Sequence, residues 1–265
     1  MREYPRVVSL HFTNKCNLSC PFCYVNSNEV KSTDFWLKLI YVLGDMGIEQ
    51  VAIGGGEPFL FPTFLKDFCK LCTAYGIVTS ITSNATLVNP KSLENLNTAM
   101  ISLSIDEHKL QHNSLEHYIR TLKMISSYGI ETGINYLITS NEYFKELSTI
   151  MEHLDEYVDN YHILQLKQVP NPVSVKLLQL LKVFAIKSKK IYVDDSIALD
   201  INIREKCRHG SELISIHPDG SVSPCSFSPP IGKLEKPSDL VNIVEKYYPM
   251  NGYNKCPYVN RGKCD

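Results

Sequence analysis

Along the first 190 residues, short apolar runs alternate with longer stretches in which apolar residues return every three or four positions. The short runs, at 7–12, 50–54, 78–82, 100–105, 131–137 and 161–166, have the length and β-branched content of strands. The stretches at 33–45, 63–75, 90–96, 114–127, 142–157 and 174–187 carry the helical period. Pro90 suits a first helical turn with Asn89 as its N-cap, and Gly47, Gly76 and Gly129 fall where helices end. Six strand–helix units predict parallel strands, and six are fewer than the eight of a closed barrel. The expected fold class is α/β, a partial (β/α)6 barrel over residues 1–190. A doubly wound sheet is the alternative that alternation leaves open. In either, ligands sit at the C-terminal ends of the strands.

The pattern changes at residue 191. Residues 211–217, Pro218-Asp219-Gly220 and 221–224 read as strand, turn and strand, and 238–247 as one more helix. The expected organisation is a core at 1–190 and a small hairpin-plus-helix extension at 191–265. So small a segment has a thin core, and a metal cross-link would stabilise it considerably.

Composition and charge narrow the function. Of 265 residues, 44% are hydrophobic, enough for a large core. Lys+Arg 27 against Asp+Glu 28 gives a net charge of −1, which argues against a bulk electrostatic grip on nucleic acid or acidic lipid. No run reaches the ~18 apolar residues of a membrane helix, and the N-terminus lacks a secretory apolar stretch. A cytoplasmic location is expected, with neither membrane nor nucleic acid as partner. Nine cysteines in such a chain point to metal ligation or redox chemistry rather than disulfides.

Cys16, Cys20 and Cys23 form a Cys-x3-Cys-x2-Cys loop directly after the first strand, with no fourth cysteine nearby. A cubane [4Fe–4S] cluster held by three thiolates keeps one iron open for a cofactor or substrate. The competing reading is a zinc site completed by a remote histidine, His11 being the one histidine close in sequence. Cys69 and Cys72 lie within a helical stretch and read as buried small hydrophobes. The histidines are scattered, without a metal-type pair on a helix face.

The loop, with Phe22 before its third cysteine, resembles the cluster loop of the radical S-adenosylmethionine superfamily. The resemblance implies that Cys16, Cys20 and Cys23 hold a [4Fe–4S] cluster whose open iron binds S-adenosylmethionine. It also implies that one-electron reduction releases a 5′-deoxyadenosyl radical that abstracts hydrogen from an unactivated C–H bond. Gly54-Gly55-Gly56-Glu57-Pro58 after the second strand matches the family's Gly-Gly-Glu, which assigns Gly55, Gly56 and Glu57 to the methionine amine. Ser83 and Asn84 resemble a ribose contact, and Ser104 and Asn135 resemble further cofactor contacts. The family's Asp-Gly and Arg-Gly after the fourth strand are absent here, so the partner of the cofactor carboxylate is unassigned.

Cys207-x12-Gly220-x4-Cys225 resembles the opening of the family's SPASM and Twitch extensions. With Cys256 and Cys264 it gives four cysteines after residue 200, the number for one fully ligated auxiliary [4Fe–4S] cluster. A structural zinc fits the same count. The resemblance implies an oxidoreductase acting on a small molecule or peptide, with an electron donor such as flavodoxin or ferredoxin. A non-catalytic iron–sulfur carrier or redox sensor is the alternative. Asp106, Tyr136, Gln165 and Lys167 are the candidate substrate contacts in the barrel lumen.

Overall fold

The computed structural model describes residues 4–25, 29–170, 173–187, 189–249 and 253–260. Its strands are β1 (Val7–His11), β2 (Gln50–Gly54), β3 (Val78–Ser83), β4 (Met100–Ile105), β5 (Glu131–Ile138), β6 (Asn160–Gln165), β7 (Ile191–Val193), β8 (Leu213–Ile216), β9 (Ser221–Ser223) and β10 (Gly232–Lys233). Its helices are α1 (Thr33–Asp45), α2 (Pro62–Ala74), α3 (Pro90–Leu93), α4 (Glu107–Leu110), α5 (Leu115–Ser127), α6 (Asn141–Leu154), α7 (Val175–Leu178), α8 (Leu180–Lys187), α9 (Asp195–Asp200) and α10 (Asp239–Tyr247).

β1 to β7 lie side by side in chain order, every neighbouring pair parallel. A doubly wound sheet reverses its strand order part-way. This one does not, so the helices all lie outside a curled sheet, and the doubly wound alternative is set aside. Beyond the six expected parallel strands there is a seventh, β7. Its three residues are too few for alternation to reveal. At the other edge β8 pairs in parallel with β1, and β9 and β10 follow antiparallel, so the hairpin extends the same sheet. Strands β7 and β10 are its two ends, and the barrel stays open.

Alternation along the strands separates packing from chemistry. Val8, Leu10, Val51, Ile53, Ile81, Ile101, Leu103, Ile134 and Ile163 point outward and are buried under the helices. Helix α1 answers with Phe35, Trp36, Leu39, Ile40 and Leu43 at helical spacing, and Ser32 caps it by accepting from the Phe35 N–H. The opposite positions, Ser9, Ala52, Ser80, Thr82, Ser102, Ser104, Gly133 and Asn135, are small or polar, which leaves room inside the curl. Tyr136 shares the parity of Ile134 and Ile138. It lies on the outer face, stacked on Tyr143 with its hydroxyl donating to the Tyr143 carbonyl at 2.7 Å. Its expected place in the lumen is corrected accordingly. Cys69 and Cys72 are buried in α2, where burial pushes the Cys69 thiol up to about 11, as befits core hydrophobes. No helix among the described residues is long and apolar enough to cross a membrane.

Candidate active site

At the C-terminal end of β1 the chain runs into the three-cysteine loop, and two backbone hydrogen bonds fix where that loop starts. The Gly56 N–H donates to the Thr13 carbonyl and the Glu57 N–H to the Lys15 carbonyl, both at 2.8 Å. The turn after β2 therefore grips the stem of the loop. A Cβ on Gly56 would collide with the Lys15 carbonyl and one on Gly55 with the Thr13 carbonyl, and Gly55 has φ of +116°. The sequence shows glycines where backbone must come close; what comes close is the thiol loop itself.

Glu57 works behind this contact. Its carboxylate is fully buried and accepts from the Phe59 N–H at 3.0 Å, the Ser83 hydroxyl at 2.9 Å and the Asn84 N–H at 2.8 Å. Burial raises the carboxyl above its ordinary range against the pull of these donors. Gly55, Gly56, Ser83, Asn84, Ser104 and Asn135 line the central cavity, whereas the Glu57 side chain is turned to the end of β3. The Asn84 amide, held this way, donates to the Asn17 side chain at 2.9 Å and lies 3.7 Å from the Cys16 sulfur. Asn135 donates to Thr82 at 3.0 Å across the lumen face. Cys16 and Cys23 are exposed and Cys20 half-buried. Beside them Lys109 pairs with Asp106, which also caps α4, with the ammonium 5.7 Å from the Phe22 ring centroid.

A second thiol group faces the first across the same cavity, whose volume is about 430 Å³. Cys207, Cys225 and Cys256 are all half-buried on its wall. Cys264 lies outside the described residues. Between the thiols sits Lys167, paired with Asp194 and 5.1 Å from the Phe227 ring centroid. Asp194 caps α9 through the Ile197 N–H at 2.8 Å and accepts from Ser196 at 2.7 Å, and Gln165 in turn donates to Ser196 at 2.9 Å. The Cys207 N–H donates to the Tyr253 carbonyl at 2.9 Å and the Gln168 N–H to the Tyr258 carbonyl at 2.7 Å, which brings Cys256 inward. Tyr24, next to Cys23, lies 4.5 Å from Phe227, two residues after Cys225, so an aromatic pair spans the gap. Burial first, and Asp195 after it, push the Cys207 thiol up to about 12. A thiolate here calls for a cation beside it.

The chain belongs to the radical SAM superfamily: residues 10–154, more than half its length, match that family. It is 26% identical over 183 residues to an S-adenosylmethionine-dependent nucleotide dehydratase of a Thermoplasmatales archaeon (strain ISO4-H5), a match covering 63% of this chain and 66% of that protein. It is 25% identical over 162 residues to the sporulation killing factor maturation protein SkfB of Bacillus subtilis, covering 56% of this chain and 39% of that one. The chain thus spans less than two-thirds of these relatives' lengths. In fold it is similar to Streptococcus suis SuiB bound to S-adenosylmethionine, with a TM-score of 0.75 at 17% identity over 92% of this chain and 66% of that one. Membership brings S-adenosylmethionine and a [4Fe–4S] cluster. The residues present fit both: three thiols of one loop line a cavity walled also by glycine backbone and small polar side chains.

Proposed function

We propose that the chain removes a hydrogen atom from an unactivated C–H bond of a peptide residue, with an oxidative outcome assisted by a second iron–sulfur cluster. The observation that carries this reading is that one cavity is lined by both thiol groups. Cys16, Cys20 and Cys23 would hold the first cluster, with Gly55 and Gly56 presenting backbone to S-adenosylmethionine and Ser104 and Asn135 facing it from β4 and β5. When bound, that pair supplies a 5′-deoxyadenosyl radical on one-electron reduction, from a donor such as flavodoxin or ferredoxin. Cys207, Cys225 and Cys256 would hold the second cluster, close enough to the substrate space to accept an electron. Tyr24 and Phe227 bring the two groups into contact through their rings, 4.5 Å apart between centroids.

The charge on the cavity wall bears on substrate class. Among the described residues, Lys109 and Lys167 are the lysines there, and Asp106, Asp194 and Asp195 are the acids. Both lysines are already paired, so among the described residues no surplus positive charge meets a nucleotide's phosphates. A peptide side chain suits such a wall better. SkfB is named as a maturation protein, and SuiB has also been solved with its precursor peptide SuiA, which supports the same choice.

The test is anaerobic. Reconstituted protein, reduced with S-adenosylmethionine present, is expected to form 5′-deoxyadenosine and to carry about eight irons per chain. No 5′-deoxyadenosine from a protein with its first cluster intact would leave the non-catalytic carrier as the better reading. About four irons together with one zinc would remove the second cluster.

A further inference from the structure

We infer that His209 is a protein ligand of the second cluster, completing the set begun by Cys207, Cys225 and Cys256. The inference rests on the second-cluster reading above. Its starting point is a polar atom without a partner: the Nδ1 of His209 is buried and makes no hydrogen bond. A buried nitrogen left unpaired is destabilising, so this atom calls for a partner. His209 lines the cavity, and its ligand nitrogen, the Cys207 sulfur and an Asp195 oxygen lie within 4.8 Å of one another.

Asp195 is not the ligand, because its carboxylate is already taken up. It accepts from the Arg208 N–H at 2.6 Å and the Arg208 Nε at 3.0 Å, with Arg208 Nη2 at 2.9 Å. Its effect is to hold the backbone between Cys207 and His209. Past that point the chain folds back on itself. The Glu212 N–H donates to the Arg208 carbonyl at 2.8 Å and the Gly210 N–H to the Leu213 carbonyl at 2.7 Å. The loop therefore holds a thiol and an imidazole two residues apart, both lining the same cavity. Replacement of a thiolate by an imidazole raises a cluster's reduction potential. Such a site suits acceptance of an electron from a substrate radical better than its delivery.

The test isolates the second cluster. The full chain carrying Cys16→Ala, Cys20→Ala and Cys23→Ala is reconstituted with iron and sulfide, with 14N- or 15N-histidine incorporated, and reduced by dithionite or cryogenic radiolysis. Pulsed electron paramagnetic resonance is expected to show a directly coordinated nitrogen that changes with the isotope. Adding His209→Cys should abolish that coupling, retain about four irons and lower the midpoint potential. A cluster without histidine nitrogen coupling, or a coupling that survives His209→Cys, would overturn the assignment and leave the second-cluster reading intact. Loss of the cluster with Cys264→Ala would then give the position to that residue. A triple variant that holds no iron would remove both readings at once.

Discussion

Cys16, Cys20 and Cys23 come from eight consecutive residues, and two of the three are exposed. Cys207, Cys225 and Cys256 are gathered from fifty residues, and all three are half-buried. The first group is positioned by backbone, through the Gly56 and Glu57 N–H donors on the stem of its loop. The second is positioned by charge and by side-chain hydrogen bonds: Asp195 on Arg208, Asp194 on Lys167, and tail segments stitched to the exit of β6. A site that must keep an iron open benefits from a loop whose stem is fixed by backbone, with Asn84 and Thr86 holding Asn17 beside it. A site that is closed can be built from groups that meet only when the whole chain has folded.

The largest effect that would break this comparison falls on the first group. Replacing Cys16, Cys20 and Cys23 by Ala is expected to abolish 5′-deoxyadenosine formation and remove about four irons, with the second cluster spared. Loss of both clusters together would mean that the two groups are one unit. A pair of glycine variants tests whether backbone positions the first loop. Gly56→Ala drives a Cβ into the Lys15 carbonyl, whereas Gly54→Ala meets at nearest the His11 ring at 3.8 Å, an ordinary contact. A misplacement of this order costs about 10²-fold in rate. Cofactor cleavage should fall by that factor in Gly56→Ala and change little in Gly54→Ala, measured as initial rates on protein of equal iron content.

The same division explains what could be read from the chain beforehand. The strands, their order of appearance and the three-cysteine loop were legible because alternation and spacing are local. So were Cys69 and Cys72 as core, since Phe68 and Leu71 sit among them on one helix. The parallel pairing of β8 with β1 was not, because Val7 and Leu213 are joined by packing and no pattern within either segment announces the other. Lys167 with Asp194 and Asp195 with Arg208 are long-range in the same way. The inward-facing Tyr136 was a parity error: Tyr136 follows Ile134, and both serve the outer core. His209 stands in the sequence as Cys-x-His, but nothing local shows that its ring and the Cys207 thiol face one cavity.

For the second group, Asp195→Ala is the matching break. Removing the carboxylate frees the Arg208 N–H and guanidinium, and the loop from Cys207 to Leu213 loses its anchor. A loss of about 1–3 kcal/mol in stability is expected. Iron in the second cluster should fall while 5′-deoxyadenosine formation persists. Unchanged iron would show that the thiols alone hold that site.

The smallest effect concerns the join between the two groups, at His11. This residue ends β1, directly before the first loop, and its ring lies 5.4 Å from His217 on the hairpin that carries Cys225. It is buried, and its Nδ1 has no hydrogen-bond partner. Burial, reinforced by the neighbouring His217, lowers its pKa to about 3. An unfolded histidine titrates near 6.5. Between those two values the unfolded chain holds a proton that the folded chain refuses, so stability rises with pH across the window. It is fully present above about 6.5 and is lost progressively as pH falls toward about 3. From pH 7 to pH 5 the loss from this one group is about 2 kcal/mol. His162, His209 and His217 are lowered as well, so the informative quantity is a difference between proteins. Denaturant midpoints at the two pH values should move closer together in His11→Gln than in the parent chain. An equal pH response in both would mean that His11 takes up its proton without unfolding. The contact between the two thiol regions at the buried His11 ring would then be loose enough to admit water.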